Sequence, residues 1–461
     1  MAESQPPSPS PSNEVRAGAG GLSNAQFSVL FTVLRLVANG TIGIVTARGL
    51  GALGRGIFAL LVTFNNTLAS LGLVGLGPSG VYHAGKDKFP AQETVSTALT
   101  AALLTGAGSA LLGVAAVFSL RQRLFGEIPL VWVFLVVAMA PVIIASTVGA
   151  YLLLGFGRVK PFNWSQSAGA GLELGLLVVF LLLGLLNPWS ATSIWAAAFL
   201  GAAIYTVVKL RRFGPLRPGW RPAQLREMLG FGLKSYLGDS TLQMNMRFDF
   251  LLVKVFAGTA NLGYYSISAL ISQLPWIFPH GLSYALYPRV TSLPLPEAVH
   301  LTEKGMRHAF SLSLLTGVLI ALTARYLVPV VFGRTFSASV TALLVLLPGA
   351  IFFGLTWLQA AFLIGQCGKP LKVGYAYLFT LMANIALNVL LTPRYGILGA
   401  AAASSLARLA GCVFLLQMVT AESKSSWRSF LLPRRGDMAD LIEEIRQVAS
   451  LVLGKGRNPR N

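Results

Sequence analysis

Long apolar runs separated by short polar stretches recur along most of the chain. With a window of about 19 residues, twelve runs stand out. Each is long enough to cross the hydrocarbon core of a bilayer as an α-helix, which takes about 20 residues. The runs lie near residues 26–46, 57–79, 95–119, 128–154, 166–186, 190–208, 231–255, 263–287, 308–324, 338–365, 371–391 and 397–418. The pattern predicts an all-α polytopic membrane protein of about 12 transmembrane helices.

The composition supports this prediction and excludes a water-soluble enzyme. Of 461 residues, 54% are hydrophobic and only 11% are charged, and the mean hydropathy is +0.67. These values lie far outside those of soluble domains. The net charge of +20 would suggest a nucleic-acid partner in a soluble protein. Here a bias of basic residues toward cytoplasmic loops accounts for it, so we expect no nucleic-acid partner.

The distribution of basic residues predicts the orientation. An even number of spans places both termini on one side, and most Lys and Arg residues lie in the tails and loops of that side. The positive-inside rule therefore places both termini in the cytoplasm. The opposite loops contain only Arg48, Arg55, Arg121, Arg123, Arg325, Arg334 and Arg394.

The same patterns divide the chain into five parts. Residues 1–25 are rich in Pro, Ser and Gly and predict a disordered cytoplasmic tail. Residues 26–208 and 231–418 each hold six spans, and the basic segment 209–230 joins them as a cytoplasmic linker. This linker fixes topology and meets anionic headgroups, with a specific partner site as the alternative.

The C-terminal tail, residues 419–461, contains an amphipathic pattern from Asp437 onward. It predicts a helix on the cytoplasmic leaflet, or one packed against the bundle. An interfacial helix predicts that trimming after Ala421 leaves transport largely intact.

A weak repeat relates the two halves. TARGLGALGRGIFAL starts at Thr46 and LVKVFAGTANLGYYSIS at Leu252, and one inserted residue aligns Arg48 with Lys254 and Gly56 with Gly263. Repetition in one orientation is typical of a two-lobed transporter with an axis along the membrane normal.

The residues that a membrane enzyme needs are scarce. Acid–base and metal chemistry at one face of the bilayer requires acidic or histidine side chains. The outer loops hold one acid, Glu127, and the four histidines are scattered without metal-ligand spacing. The two cysteines, Cys367 and Cys412, form no disulfide framework. We therefore expect a protein that is not an enzyme and has no metal or other cofactor.

Charged residues inside the spans are the candidate functional residues, because such charges are costly in a bilayer and usually face an aqueous cavity. They are Arg35, Glu173, Asp239, Arg247, Asp249 and Arg408. Arg247 and Asp249 lie about 200° apart on an ideal helix, so they cannot both point straight into one cavity. Arg247 could instead only neutralise Asp239 or Asp249, and Arg408 could only tie two helices. For Glu173, ion coupling and snorkelling to the interface are both open.

Cations predominate among the residues that a central cavity could reach. Arg35, Arg247 and Lys254 would lie inside the spans, with Arg48 and Arg55 at the mouth. Arginine forks suit phosphate oxygens, so the set predicts an anionic, phosphorylated substrate. Asp249, Asp239 and Glu173 are the candidates for coupling to H⁺ or Na⁺, and the residues do not choose between these ions.

Several stretches resemble polysaccharide-unit flippases of the multidrug/oligosaccharidyl-lipid/polysaccharide (MOP) exporter superfamily. They are ARGLGALGRGIFALL from Ala47, the stretch RFDFLLVKVFAGTANLGYYSIS from Arg247 and its continuation to Val290, VFGRTF from Val331, and the segment from Ile364 to Leu409. Each motif is degenerate, but their order and spacing span nearly the whole membrane region. By position, Arg247 and Asp249 match the charged R-x-D of the seventh helix and Arg48 matches the basic residue after the first.

The resemblance implies two six-helix lobes around a cavity, the fold of MATE transporters. It also implies alternating-access export of undecaprenyl-diphosphate-linked oligosaccharide units across the bacterial plasma membrane, coupled to a cation gradient. The implied partners are this lipid-linked glycan, the bilayer and polysaccharide assembly proteins. Two alternatives stay open, namely a cation-coupled drug or metabolite antiporter of the same superfamily and a membrane glycosyltransferase or polymerase. The first needs acids and aromatics in its cavity, and the second needs acidic outer loops.

Overall fold

Helices account for almost all of the chain that the structure, a computed structural model, describes. The described residues are 11–86, 89–126, 128–214, 219, 221–432, 434 and 436–437, without the side chains of residues 11–26, 29, 234, 235 and 239. The helices are α1 (Pro11–Leu73), α2 (Leu76–Gly85), α3 (Ala91–Phe125), α4 (Leu130–Gly155), α5 (Val159–Leu182), α6 (Pro188–Leu210), α7 (Pro222–Ala257), α8 (Thr259–Ser272), α9 (Ile277–Ser292), α10 (Leu295–Phe332), α11 (Ser339–Ala361), α12 (Pro370–Ser423) and α13 (Trp427–Leu431).

The predicted all-α polytopic fold is confirmed. Within the described residues, eight helices are long and apolar enough to cross a membrane. Of these, α12 contains two predicted spans, and α1 contains one predicted span and most of the next. α1 changes direction at Gly51, where φ is 64°, and α12 at Gly396, where φ is 56°. Glycine has no Cβ and adopts these left-handed conformations without steric cost, so the chain can reverse there between two spans.

Helical structure extends further than the composition predicted at two places. α1 begins at Pro11, inside the predicted disordered tail, because continuing the helix of the first span adds one backbone hydrogen bond per residue. α7 begins at Pro222, inside the predicted linker 209–230. Its first turns are held by Ser79 Oγ, which donates to the Met228 carbonyl at 2.8 Å, and by Thr97 Oγ1, which donates to Gln224 Oε1 at 2.9 Å.

The described chain forms two compact units. The first contains the residues up to Leu50 and Phe64–Tyr236. The second contains Gly51–Thr63 and the residues from Leu237 onward. The exact limits of two six-helix lobes at 26–208 and 231–418 stay a prediction.

The repeated segments meet inside the second unit. A Cβ on Gly56 would clash with the carbonyl oxygen of Thr259, and a Cβ on Gly263 would clash with that of Ala52. Each glycine follows, by five residues, a glycine with positive φ, Gly51 at 64° and Gly258 at 90°. Each segment therefore has a glycine with positive φ at the same relative position. The two segments cross with backbone against backbone at Gly56 and Gly263.

The segment after α12 packs against the N-terminal half of α10. Phe430 of α13 is fully buried in the core of the second unit. Arg307 donates to Asp437 from Nε at 2.6 Å and from Nη2 at 3.1 Å, and its Nη1 donates to the Ser429 carbonyl at 2.7 Å. The tail is thus packed against the bundle at least as far as Asp437. The amphipathic pattern that the sequence places beyond Asp437 lies outside the described residues.

Candidate functional site

The cationic candidates differ in how far they reach solvent. In the first unit, Arg35 is half-buried and Arg48 is exposed. In the second unit, Arg247 is exposed, Arg55 is half-buried and Lys254 is buried. The structure therefore divides the predicted cations between the two units, and two of them, Arg48 and Arg247, have exposed side chains.

Arg55 and Lys254 both bind side chains of α8. Arg55 donates from Nε to Ser266 Oγ at 3.2 Å, and its guanidinium lies 5.7 Å from the centre of the Phe58 ring. Lys254 donates to Thr259 Oγ1 at 2.6 Å. The carbonyl of Thr259 is the group that Gly56 approaches, so both basic side chains flank the glycine crossing.

The two charges of the seventh predicted span have opposite environments, as their angular separation on the helix requires. Arg247 is exposed, whereas Asp249 is only 1% exposed. Among the described contacts, no hydrogen bond or ion pair joins Arg247 to Asp249. The partner of Asp249 is Arg408 of α12, whose Nη2 lies 4.0 Å from Asp249 Oδ2.

Hydroxyl groups complete the environment of Asp249. Its Oδ2 accepts hydrogen bonds from Tyr265 Oη at 2.5 Å and Ser404 Oγ at 3.0 Å. Ser404 Oγ in turn accepts from Asn384 Nδ2 at 3.1 Å. All of these side chains are buried, so α7, α8 and α12 are joined by a polar cluster inside the second unit.

Arg408 is supported by aromatic rings rather than by a close carboxylate pair. Its guanidinium lies 5.4 Å from the centre of the Trp276 ring and 5.6 Å from that of Phe353. The sequence pattern offered Arg408 as one of six candidate charges, with a helix–helix tie as the alternative, and it did not identify Tyr265 or Ser404. The available signal was that Asp249 and Arg408 are both lone charges within apolar spans, which favours pairing of such residues.

The remaining acidic candidates are separated from this cluster. Glu173 of α5 belongs to the first unit and is 6% exposed, which argues against snorkelling to the interface. Asp239 lies on α7, but its side chain is outside the described residues. Over the described part of the chain, no three His, Cys, Asp or Glu residues are placed to hold a metal ion.

Comparison with known proteins gives one family and one fold. The model of a family described as "Polysaccharide biosynthesis protein" matches residues 45–341, more than half of the chain. No curated protein matches the sequence.

Solved membrane transporters share the fold. An inward-facing multidrug resistance MATE family transporter of the MOP superfamily is 18% identical, with a TM-score of 0.66 over 85% of this chain and 96% of that chain. The lipid II flippase MurJ in an inward closed conformation is 13% identical, with a TM-score of 0.63 over 91% and 93%. A MOP superfamily transporter from Pyrococcus furiosus Vc1, described as having a binding pocket of reverse polarity, is 17% identical, with a TM-score of 0.57 over 87% and 95%. At these identities the likeness shows the fold alone.

Proposed function

The chain belongs to the family of polysaccharide biosynthesis proteins, and on that premise we propose that it is a flippase for lipid-linked oligosaccharides. Its cargo is an undecaprenyl-diphosphate-linked oligosaccharide unit, exported by alternating access across the bacterial plasma membrane, with both termini of the protein in the cytoplasm. The protein moves this lipid without changing it chemically. The MOP fold and its likeness to the lipid II flippase support a lipid-linked cargo.

One observation supports a negatively charged substrate. Among the charged residues of the predicted spans, Arg247 is exposed and Arg35 is half-buried, whereas the acids Asp249 and Glu173 are both buried. Among the side chains that the structure describes in these spans, the charges available to a ligand are therefore basic. A diphosphate is bound well by guanidinium groups, which present several N–H donors in a fixed fork. Arg48, Arg55 and Lys254 are further candidates for binding the substrate in this proposal.

A complementation experiment tests the cargo. In a strain that lacks the gene, we expect Arg247→Ala and Arg35→Ala to be made in the membrane in normal amounts but to restore little surface polysaccharide. The polyprenyl-diphosphate-linked unit should accumulate on the cytoplasmic side. Arg247→Lys should keep part of the activity, because lysine retains the positive charge and loses only the paired N–H donors of the guanidinium group. Arg394→Ala, which changes an exposed arginine next to the kink of α12, is the matched control. Full surface polysaccharide in both alanine variants would refute the basic binding surface.

The likeness to multidrug MATE transporters favours a second candidate, a cation-coupled drug or metabolite antiporter. Such a transporter needs an accessible carboxylate for a cationic substrate. The burial of Asp249 and Glu173 argues against this candidate. The same deletion strain distinguishes the two functions, since an antiporter would change resistance to cationic drugs and leave surface polysaccharide intact.

A further inference from the structure

The buried cluster around Asp249 combines the ligand types that a hard metal cation prefers. Carboxylate, hydroxyl and amide oxygens bind such cations. Asp249 Oδ2 is engaged by Tyr265 and Ser404, but Asp249 Oδ1 has no hydrogen-bond partner among the described residues. The sequence alone leaves Asp249 as a coupling candidate for either H⁺ or Na⁺.

Arg408 lies close enough to neutralise this carboxylate without covering its open oxygen. Its Nη2 is 4.0 Å from Asp249 Oδ2, and its Nε and Nη1 have no hydrogen-bond partner in the described part of the chain. The rings of Trp276 and Phe353 hold the guanidinium in place. Of the other basic residues of α7, Lys254 binds Thr259, and Arg247 is exposed and acts on Asp249 through its charge, without a hydrogen bond or ion pair among the described contacts.

We propose that Arg408 is a resident counter-cation that prevents Na⁺ from binding at Asp249. A metal ion on Asp249 would share the carboxylate with a guanidinium nitrogen that lies 4.0 Å from Oδ2. Over a separation of about 6 Å, at the effective dielectric constant of a protein, the repulsion weakens binding roughly a hundredfold. Removing the charge of Arg408 leaves a buried carboxylate with an open oxygen and hydroxyl neighbours. The site then accepts Na⁺. Arg408 is thus the residue that sets ion specificity in the second unit.

The inference concerns an ion site within one unit and does not depend on the cargo. Arg408 can have this role even if the protein does not export a lipid-linked glycan. Equally, the protein can export such a glycan even if Arg408 does not exclude Na⁺. The test therefore measures ion binding directly and does not use transport.

The experiment compares the melting temperature, Tm, of the purified full-length protein in NaCl and in choline chloride at equal ionic strength. We expect the wild type and Arg408→Lys to melt at the same temperature in both salts. Arg408→Gln should melt higher in NaCl by about 2 °C or more, since a ligand that binds only the folded state stabilises it. Arg408→Met, which keeps an apolar stem against Trp276 and Phe353, should behave in the same way. The double variant Asp249→Asn/Arg408→Gln should lose the Na⁺ response.

Two results would overturn the proposal. The first is a wild-type Tm that already rises in NaCl and no longer does so in Asp249→Asn. The second is a folded Arg408→Gln or Arg408→Met protein whose Tm is the same in both salts. The first result needs only the wild type and Asp249→Asn, so the test holds even if both neutral Arg408 variants fail to fold.

Discussion

Truncation of the C-terminal tail after Ala421 should destabilise the protein severely. The interfacial-helix interpretation of the sequence predicts that such a truncation is tolerated. The structure predicts the opposite, because the truncation removes two buried anchors, Phe430 and Asp437. It also removes Glu422, whose carboxylate accepts from Lys369 at 2.6 Å and from Lys372 at 2.8 Å.

The magnitude follows from these contacts. Loss of a buried phenylalanine side chain costs about 3–5 kcal/mol. Loss of Asp437 leaves Arg307 as an uncompensated buried charge, which costs about 3–5 kcal/mol. The half-exposed pairs of Glu422 add only about 1 kcal/mol. Because neighbouring effects do not add fully, we expect a loss of at least about 5 kcal/mol, comparable to the whole stability of many domains.

The assay compares two truncations of the detergent-purified protein. One ends at Ala421, and its matched control ends at Asp437 and keeps both anchors. We expect the control to match the full-length chain in Tm and in membrane abundance, and the shorter chain to lose most of both. Equal Tm values for the two truncations would refute the anchoring role of α13 and Asp437.

Three further predictions follow from the described contacts. Hydrogen bonds from Arg307 hold the pKa of Asp437 below its ordinary value. The stabilisation of the fold by this pair should therefore be fully present above about pH 4 and be lost only as the pH falls further. The Tm difference between wild type and Asp437→Asn, followed against pH, measures this. Asp249→Asn should lower the free energy of unfolding by about 3–5 kcal/mol, because it leaves the buried charge of Arg408 without its carboxylate partner. Adding Arg408→Gln should restore much of this loss. Denaturant titration of both variants checks the restoration. Gly56→Ala should lower the Tm through a backbone clash, whereas Gly40→Ala, which meets open space, should not.

The sequence predicted the membrane fold because each span is encoded locally. An apolar run of bilayer length needs no distant residue to become a helix. Hydropathy marks the apolar runs but does not mark where a helix kinks between two of them. Gly51 and Gly396 kink the chain inside α1 and α12, and a single glycine with positive φ gives little signal among the 48 glycines of the chain.

The candidate site was predictable only in part. Lone charges such as Asp249 and Arg408 stand out in apolar spans, but which charge meets which depends on how distant helices pack. The sequence offered Arg247 as a partner for Asp249, and packing supplied Arg408 instead. Tyr265 and Ser404 gave no signal, since hydroxyl residues are common in membrane helices and usually bond to their own backbone.

The reciprocal approach of Gly56 and Gly263 restricts how this part of the protein can vary. At most helix interfaces, a larger residue on one side can be offset by a smaller one opposite. Here backbone faces backbone on both sides, so no such exchange exists and each position tolerates one residue type. Homologues should therefore keep the two glycines even where the surrounding repeat has become unrecognisable.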